Sequence, residues 1–309
     1  MTRQRRPKQD NRTQSLFPDQ PAPGKSPAKK KQKVRYETDE DGFLREIVGS
    51  WVHDKHARLA RYVKISGQSV RRKWLGPRNA GATFIDLFSG PARVRIADTT
   101  EILPGSPLVA WQESMSDGTP FREVYVSDAN PELTRAAAVR LRREGATVIP
   151  HAGPAIETVD RILRSVNPYA LHLAFLDPYN LESLHFDIIR KLATLARMDI
   201  LIHVSVQDLN RNVRRYVIQE CSPLDAFVPG WRDQVDIARS DQHVRAQIFD
   251  YWRKLLQGIA MNTAEVAELV TGSTEQPLYW LAFAARHRLA LHFWEQIRHL
   301  TPEPQTSLA

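Results

Sequence analysis

The chain has 309 residues, enough for one large or two ordinary domains, and its hydrophobic fraction of 42% excludes a chain disordered throughout. The formal net charge of +8 is uneven: residues 1–35 hold 11 Lys and Arg against Asp10 and Asp19, and the remainder holds 32 basic and 33 acidic residues, so charge-driven affinity for nucleic acid is expected of the N-terminal segment alone. One cysteine, Cys221, excludes an internal disulfide and a cysteine-rich metal or cluster site, and no apolar run nears the ~18 residues of a membrane span.

Residues 1–38 place Pro7, Pro18, Pro21, Pro23 and Pro27 among Lys, Arg, Gln and Ser, and read as a disordered basic tail. Lys29-Lys30-Lys31-Gln32-Lys33 is a patch suited to phosphates. No apolar stretch follows the tail's charges as in a secretory signal, and a cytoplasmic location is the expectation. From Phe43 the apolar residues Leu44, Ile47, Val48, Trp51, Leu59, Tyr62 and Val63 recur mostly three, four or seven apart, predicting a helical segment within 39–80 that carries Lys55, His56 and Arg58. His56 reads there as structural or exposed.

Strands are predicted at 83–88, 123–127, 146–150, 171–176 and 199–206, with helices at 104–114, 131–144, 154–166 and 183–196. Pro131 suits a first helical position, with Asn130 as N-cap. Such alternation with short connections implies right-handed crossovers and a mostly parallel sheet, a Rossmann-like core over 81–207. Residues 93–106 read as an insertion before the first helix of that core. Residues 208–260, with Trp231, Tyr251 and Trp252, read as a helical insertion. Residues 261–309 complete the core with two apolar runs, 264–271 and 277–285, paired antiparallel around Gly272–Gln276. An amphipathic segment with Leu289, Phe293, Trp294 and Ile297 follows.

Chemistry-bearing residues fall at the predicted strand ends. Asp86-Leu87-Phe88-Ser89-Gly90-Pro91-Ala92 follows the first strand, and a glycine there lets the backbone turn sharply and approach a ligand. The loop resembles the Asp-x-Phe-x-Gly-x-Gly form of methyltransferase motif I, which holds S-adenosylmethionine (SAM), and departs from it at Ala92. A structural turn or a loop for another nucleotide are the alternatives. Asp128 ends the second strand, where a carboxylate can accept from both hydroxyls of a ribose or serve the turn before Pro131. Asp177-Pro178-Tyr179-Asn180 ends the fourth. It is similar to the Asp/Asn-Pro-Pro-Tyr/Phe corner of amino-methyltransferases with one proline fewer, so Asp177 would accept from an amine and Tyr179 would stack on a planar group. The alternative is a plain strand-end turn. After the fifth strand, Arg211 would meet a substrate carboxylate or phosphate with Asn210 orienting it, or the segment would be a structural N-cap with a solvated Arg. Cys221 reads as a buried or inert thiol, and its place after the fifth strand disfavours C5-cytosine methylation.

Trp51-x-x-x-Lys55-His56, Phe84-Ile85-Asp86-Leu87-Phe88-Ser89-Gly90-Pro91, Gly105-Ser106-Pro107-Leu108, Leu176-Asp177-Pro178-Tyr179, Asn210-Arg211 and Pro277-Leu278-Tyr279-Trp280-Leu281-x-Phe283 occur in that order over roughly residues 43–300. This set resembles the three-Cys-motif partner family (TcmP). The resemblance implies a methyltransferase-like fold and a neighbouring three-cysteine, radical-SAM-type protein as partner. The expected fold is therefore α/β, a Rossmann-like class I SAM-dependent methyltransferase fold with a C-terminal antiparallel hairpin and helical additions. The expected function is SAM-dependent methyl transfer to an amine or other planar group, with nucleic acid among the candidate acceptors. Asp86, Phe88, Ser89, Gly90 and Asp128 would hold SAM, Asp177 and Tyr179 would act on the acceptor, and Pro178, Asn180, Asn210 and Arg211 would line its site. The alternative is a non-catalytic protein of the same fold that binds the three-cysteine partner or nucleic acid.

Overall fold

The structure is a computed structural model and describes residues 35–76, 78–263, 268–271 and 277–298. Most of the predicted tail, residues 1–34, and the predicted turn at 272–276 lie outside the described residues. A small sheet comes first. β1 (Arg35–Thr38) and β2 (Leu44–Val48) pair antiparallel, β2 runs parallel to β4 (Arg93–Ile96), and β4 pairs antiparallel with β5 (Ile102–Pro104). Two expectations change here. Arg35–Thr38 is a strand rather than the end of a tail, and the helix expected from Phe43 begins only at α1 (Val52–Ser69). The spacing of Leu44, Ile47 and Val48 suits a helix, but pairing to β1 and β4 overrides it, as tertiary context does for short segments. The insertion 93–106 supplies the other two strands of this sheet.

The main sheet interleaves β3 (Ala82–Asp86), α2 (Ser106–Ser116), β6 (Glu123–Asp128), α3 (Pro131–Arg143), β7 (Val148–Ala152), α4 (Ala155–Ser165), β8 (Leu171–Leu176), α5 (Phe186–Leu192), β9 (Met198–Val204) and α6 (Val206–Ile218). α7 (Pro223–Phe227), α8 (Asp241–Gly258), β10 (Asn262–Thr263), β11 (Glu268–Thr271), β12 (Pro277–Ala285) and α9 (Arg288–Arg298) follow. The strand order is β10-β12-β9-β8-β3-β6-β7, with β11 also paired to β12. β3, β6, β7, β8 and β9 are parallel, and β12 enters antiparallel beside β9. Five parallel βα steps with a late antiparallel strand inserted next to the fifth is the Rossmann-like layout of the class I SAM-dependent methyltransferase fold.

Local chemistry explains the elements. Strands buried on both faces read as apolar runs, as β8 (Leu-His-Leu-Ala-Phe-Leu) does. Their residues alternate between two cores: Phe84, Val124, Val126, Leu173, Phe175, Leu201, Leu281 and Phe283 join the core under α1, α2, α3 and α9. Ile85, Tyr125, Ala174, Leu176, Ile200, Ile202 and Trp280 join the one under α4, α5, α6 and α8. α3 begins at Pro131 with the Asn130 side chain accepting from Glu132 N, and ends among Arg140, Arg142 and Arg143, where cations favour the helix dipole. The predicted helix 183–196 shortens to α5, because residues 181–183 form a separate 3-10 turn.

Candidate active site

The carboxyl ends of β3, β6, β8 and β9 gather the polar residues that the strands themselves exclude. After β3 the chain turns through Gly90 (φ +50°) and Ala92 (φ +61°). Ala92 holds a left-handed conformation that costs a non-glycine residue ~1–2 kcal/mol, so the backbone of the glycine usual at this place is kept with an alanine. Asp86 is fully buried and shapes the turn: one oxygen accepts from Phe88 N (3.1 Å), the other from Ser106 Oγ (2.6 Å). Burial pushes its carboxyl up to about 7, against the hydrogen bonds from Ser106 and Phe88. Gly105 presses on the loop so closely that a Cβ there would stand 2.8 Å from the Ala92 carbonyl carbon. Ser89 N donates to Ser127 O (2.9 Å), and Gly90 N donates to Asp128 Oδ2 (3.2 Å), tying the loop to the end of β6. Asp128 Oδ1 accepts from Asn130 N (2.8 Å). Each Asp128 oxygen thus takes one backbone donor and keeps lone-pair capacity for another.

The sequence reading gives Asp177 to an incoming amine; the structure gives its two oxygens to Lys55 and His203. Lys55 Nζ in the first turn of α1 pairs with Oδ2, and His203 Nδ1 near the end of β9 meets Oδ1. The parallel register Leu176↔Ile202 sets Asp177 and His203 level at the sheet edge. Burial opposes the charge on Asp177, but Lys55 and His203 overcome it and hold the carboxyl well below its usual range. Burial, helped by the Lys55 charge, moves the His203 imidazole down although Asp177 pulls it up. A neutral His203 beside an ionised Asp177 donates Nδ1–H to it and keeps Nε2 as an acceptor. The imidazole stands edge-on to Tyr279, with ring centroids 4.1 Å apart.

The small sheet supplies a further carboxylate. Glu46 in β2 faces the loop: a Cβ on Gly90 would lie 3.4 Å from its Oε2. Burial raises Glu46 to about 7, with Asp177 and Asp128 adding to the rise and Lys55 opposing it. Tyr36 in β1 is raised by burial and then by the charges of Glu46 and Asp128, so β1 and β2 both border this edge. Arg140 of α3 fastens them. Its guanidinium donates to Leu44 O (2.8 Å) and Pro91 O (2.7 Å) and pairs with Asp39 (3.1 Å) and Asp41 (2.7 Å). The Asp39 side chain, 1% exposed, also takes Arg45 and Arg93.

The remaining sequence candidates divide. Phe88 is half-buried and Ser89 buried beside Gly90. Pro178 is buried, whereas Tyr179 is 61% exposed. Asn180 Oδ1 is occupied by Ser183 N (3.0 Å) and Ser183 Oγ (2.9 Å), the N-cap of the following turn. Asn210 and Arg211 lie within α6, whose N-cap is Ser205. The Asn210 Oδ1 atom is buried without a hydrogen-bond partner among the described residues, and Arg211 is exposed. Cys221 is exposed rather than buried. Lys55, His203 and Glu46 are absent from the sequence assignment. The signal for Lys55 was a cation within the apolar pattern of its segment, and for His203 a histidine one residue before the end of a strand.

No protein-family model matches this chain, and no curated protein matches it. Among solved structures it is similar to protein LPL1258 from Legionella pneumophila (11% identity, 80% of this chain and 91% of that one, TM-score 0.47). It is also similar to an O-methyltransferase from Bacillus cereus in complex with SAH (12%, 75% and 80%, 0.43) and to cofactor-bound Rv0187 from MTB (16%, 78% and 82%, 0.41). These values carry nothing about substrate; the strand order carries the fold.

Proposed function

We propose that the chain is a SAM-dependent methyltransferase acting on an amine or other planar acceptor. The observation that supports this most is the pairing of Gly90 and Asp128 at adjacent strand ends, with Glu46 beside them in the charge field of both Asp128 and the Lys55–Asp177 pair. The residues fit SAM. Gly90 leaves free the gap under Glu46 that a side chain would narrow. Asp128 keeps an acceptor on each oxygen for ribose hydroxyls. Glu46, raised to about 7 and sensing Asp177, Asp128 and Lys55, is a carboxyl that a bound cation would ionise, which suits a cofactor carrying a sulfonium and an ammonium. Asp86, with both oxygens taken inside the loop, is better read as shaping it than as a direct ligand.

Bound SAM would supply an activated methyl group. In this reading His203 Nε2 takes the proton that the acceptor must lose, and Asp177 holds the imidazole in the tautomer that leaves Nε2 open. Lys55 keeps Asp177 ionised. Tyr179, largely exposed, is placed to stack on a planar acceptor approaching from solvent. Asn210, whose oxygen has no partner among the described residues, is a second acceptor-site candidate. The three-cysteine, radical-SAM-type protein implied by the TcmP resemblance stays a proposed partner, and the N-terminal basic segment a proposed contact to nucleic acid.

Calorimetry tests the cofactor: binding in the micromolar range, roughly 8 kcal/mol, is expected. Asp128→Ala should weaken it by ~1–3 kcal/mol. His203→Gln should lower turnover by ~10²–10⁴-fold with SAM affinity within a few-fold. Labelled SAM incubated with cell extract, fractionated into protein, DNA, RNA and small molecules, identifies the acceptor. Binding without label in any fraction would favour the non-catalytic partner, a reading that the pairing of Asp177 with Lys55 and His203 also supports.

A further inference from the structure

At the opposite edge of the main sheet, the segments that enter four neighbouring parallel strands form an arginine-lined groove. In sheet order these strands are β9, β8, β3 and β6. Arg197 immediately precedes β9, Asn167 and Tyr169 precede β8, Trp74, Arg78, Asn79 and Ala80 precede β3, and Arg122 immediately precedes β6. All of them line one open cavity of about 450 Å³. Three inter-strand spacings make the row ~14 Å long.

The groove is chemically one-sided. Its lining holds three guanidinium groups and no carboxylate. Arg78, Arg122 and Arg197 are exposed, and no ion pair joins any of them to a carboxylate among the described residues. Charged surface groups of a near-neutral folded part would ordinarily be interspersed with the other sign. Two of the arginines are also held in place. Arg122 lies across Gly81 (φ +80°), where a Cβ would stand 2.7 Å from its Nε. Arg197 stacks over Trp74 at 4.7 Å from the ring centroid and donates to Tyr169 O (3.3 Å). A guanidinium held over an aromatic ring keeps N–H donors at its edge for a phosphate. Beside them Tyr169 leaves 71% of its surface in solvent, its ring open to a stacking partner.

We propose that this groove binds single-stranded nucleic acid, its phosphates on Arg78, Arg122 and Arg197 and one base stacked on Tyr169. A row of cations with an exposed ring among them is the arrangement that tracks a backbone and accepts any base. A small anion would use the guanidinium groups and leave the ring idle; a duplex offers no free base face. The groove lies across the length of the strands from Gly90 and Asp177, so its occupancy is independent of the methyl-transfer reading.

Fluorescence anisotropy of a short fluorescein-labelled oligothymidylate, titrated with the full chain at graded salt, tests it. Arg78→Gln/Arg122→Gln should weaken binding about tenfold or more and flatten the slope of log affinity against log salt by roughly 1.4, since each lost phosphate contact contributes ~0.7. Neither side chain is hydrogen-bonded among the described residues, so the thermal melt should be unchanged. Arg135→Gln/Lys254→Gln, which removes the same charge from α3 and α8, should change affinity less than about threefold. Tyr169→Ala should weaken binding ~10-fold without altering the salt slope, and Tyr169→Phe should restore it. Equal losses in the two double variants would reduce the effect to net charge and overturn the site. Full binding by Tyr169→Ala, with inorganic polyphosphate competing as well per charge as the oligonucleotide, would overturn nucleic acid as the ligand.

Discussion

The Lys55–Asp177 pair should be strongly coupled, and a double-mutant cycle measures that coupling. The two side chains are 11% and 17% exposed, so neither charge has much water to fall back on. Removing one partner of a buried pair costs ~3–5 kcal/mol, because the other is left buried and uncompensated. The residual exposure, and His203 as a second partner of Asp177, place Lys55→Met at the lower end, ~3 kcal/mol. Asp177→Asn leaves the ammonium with only Glu46 and Asp86, both raised by burial, as carboxyls in its field among the described residues and should cost a similar ~3 kcal/mol. The double variant buries no unpaired charge and should fall about 2 kcal/mol short of the sum. Urea unfolding at pH 7 gives each value from the shift in Cm at constant slope. pH adds an independent readout. Asp177 is held below its unfolded range, so the stability it contributes is complete above about pH 4 and is lost as pH falls further. Lys55→Met should blunt that loss. If Lys55→Met lies within ~0.5 kcal/mol of wild type, as an exposed pair would, the buried cluster is refuted.

Three further outcomes are expected. Arg140→Gln leaves Asp39 and Asp41 short of their buried cation and should destabilise the fold by ~3 kcal/mol or more, with proteolysis appearing first near β1 and β2; an unchanged melt with intact β1 would sink the anchoring role. Glu46, raised from 4.5 to about 7, is protonated in the folded chain where the unfolded chain is ionised, so its contribution to stability is present below pH 4.5 and lost as pH rises to 7. Glu46→Gln lacks that loss, and its stability relative to wild type should climb by up to ~3 kcal/mol between pH 4.5 and 8; parallel pH profiles would show Glu46 to be solvated. Gly90→Ala should cost ~1 kcal/mol from its positive φ and, on the reading proposed, weaken SAM through the narrowed gap at Glu46, an effect that calorimetry would find missing if the cofactor lies elsewhere.

Much of the fold is legible in local pattern because local physics writes it. The apolar runs at 171–176 and 199–206 return as β8 and β9 because a strand covered on both faces is mostly apolar, with His172, Asp199 and His203 the exceptions. Asn130-Pro131 marks the start of α3 to the residue, since a cap and a missing N–H act within one turn. Gly90 and Asp128 are likewise readable as strand-end residues, and the structure joins them through one hydrogen bond. Other features depend on contacts between distant parts of the chain. Leu44–Val48 has a spacing compatible with a helix and becomes a strand because β1 and β4 offer it backbone partners. Asn180 and Asp177 look available in sequence, but Ser183 occupies one, and Lys55 and His203, 122 and 26 positions away, occupy the other. Sequence spacing can say that a carboxylate ends a strand. Which charge it meets there depends on strand register and on where a separate helix packs, and only the tertiary structure decides that.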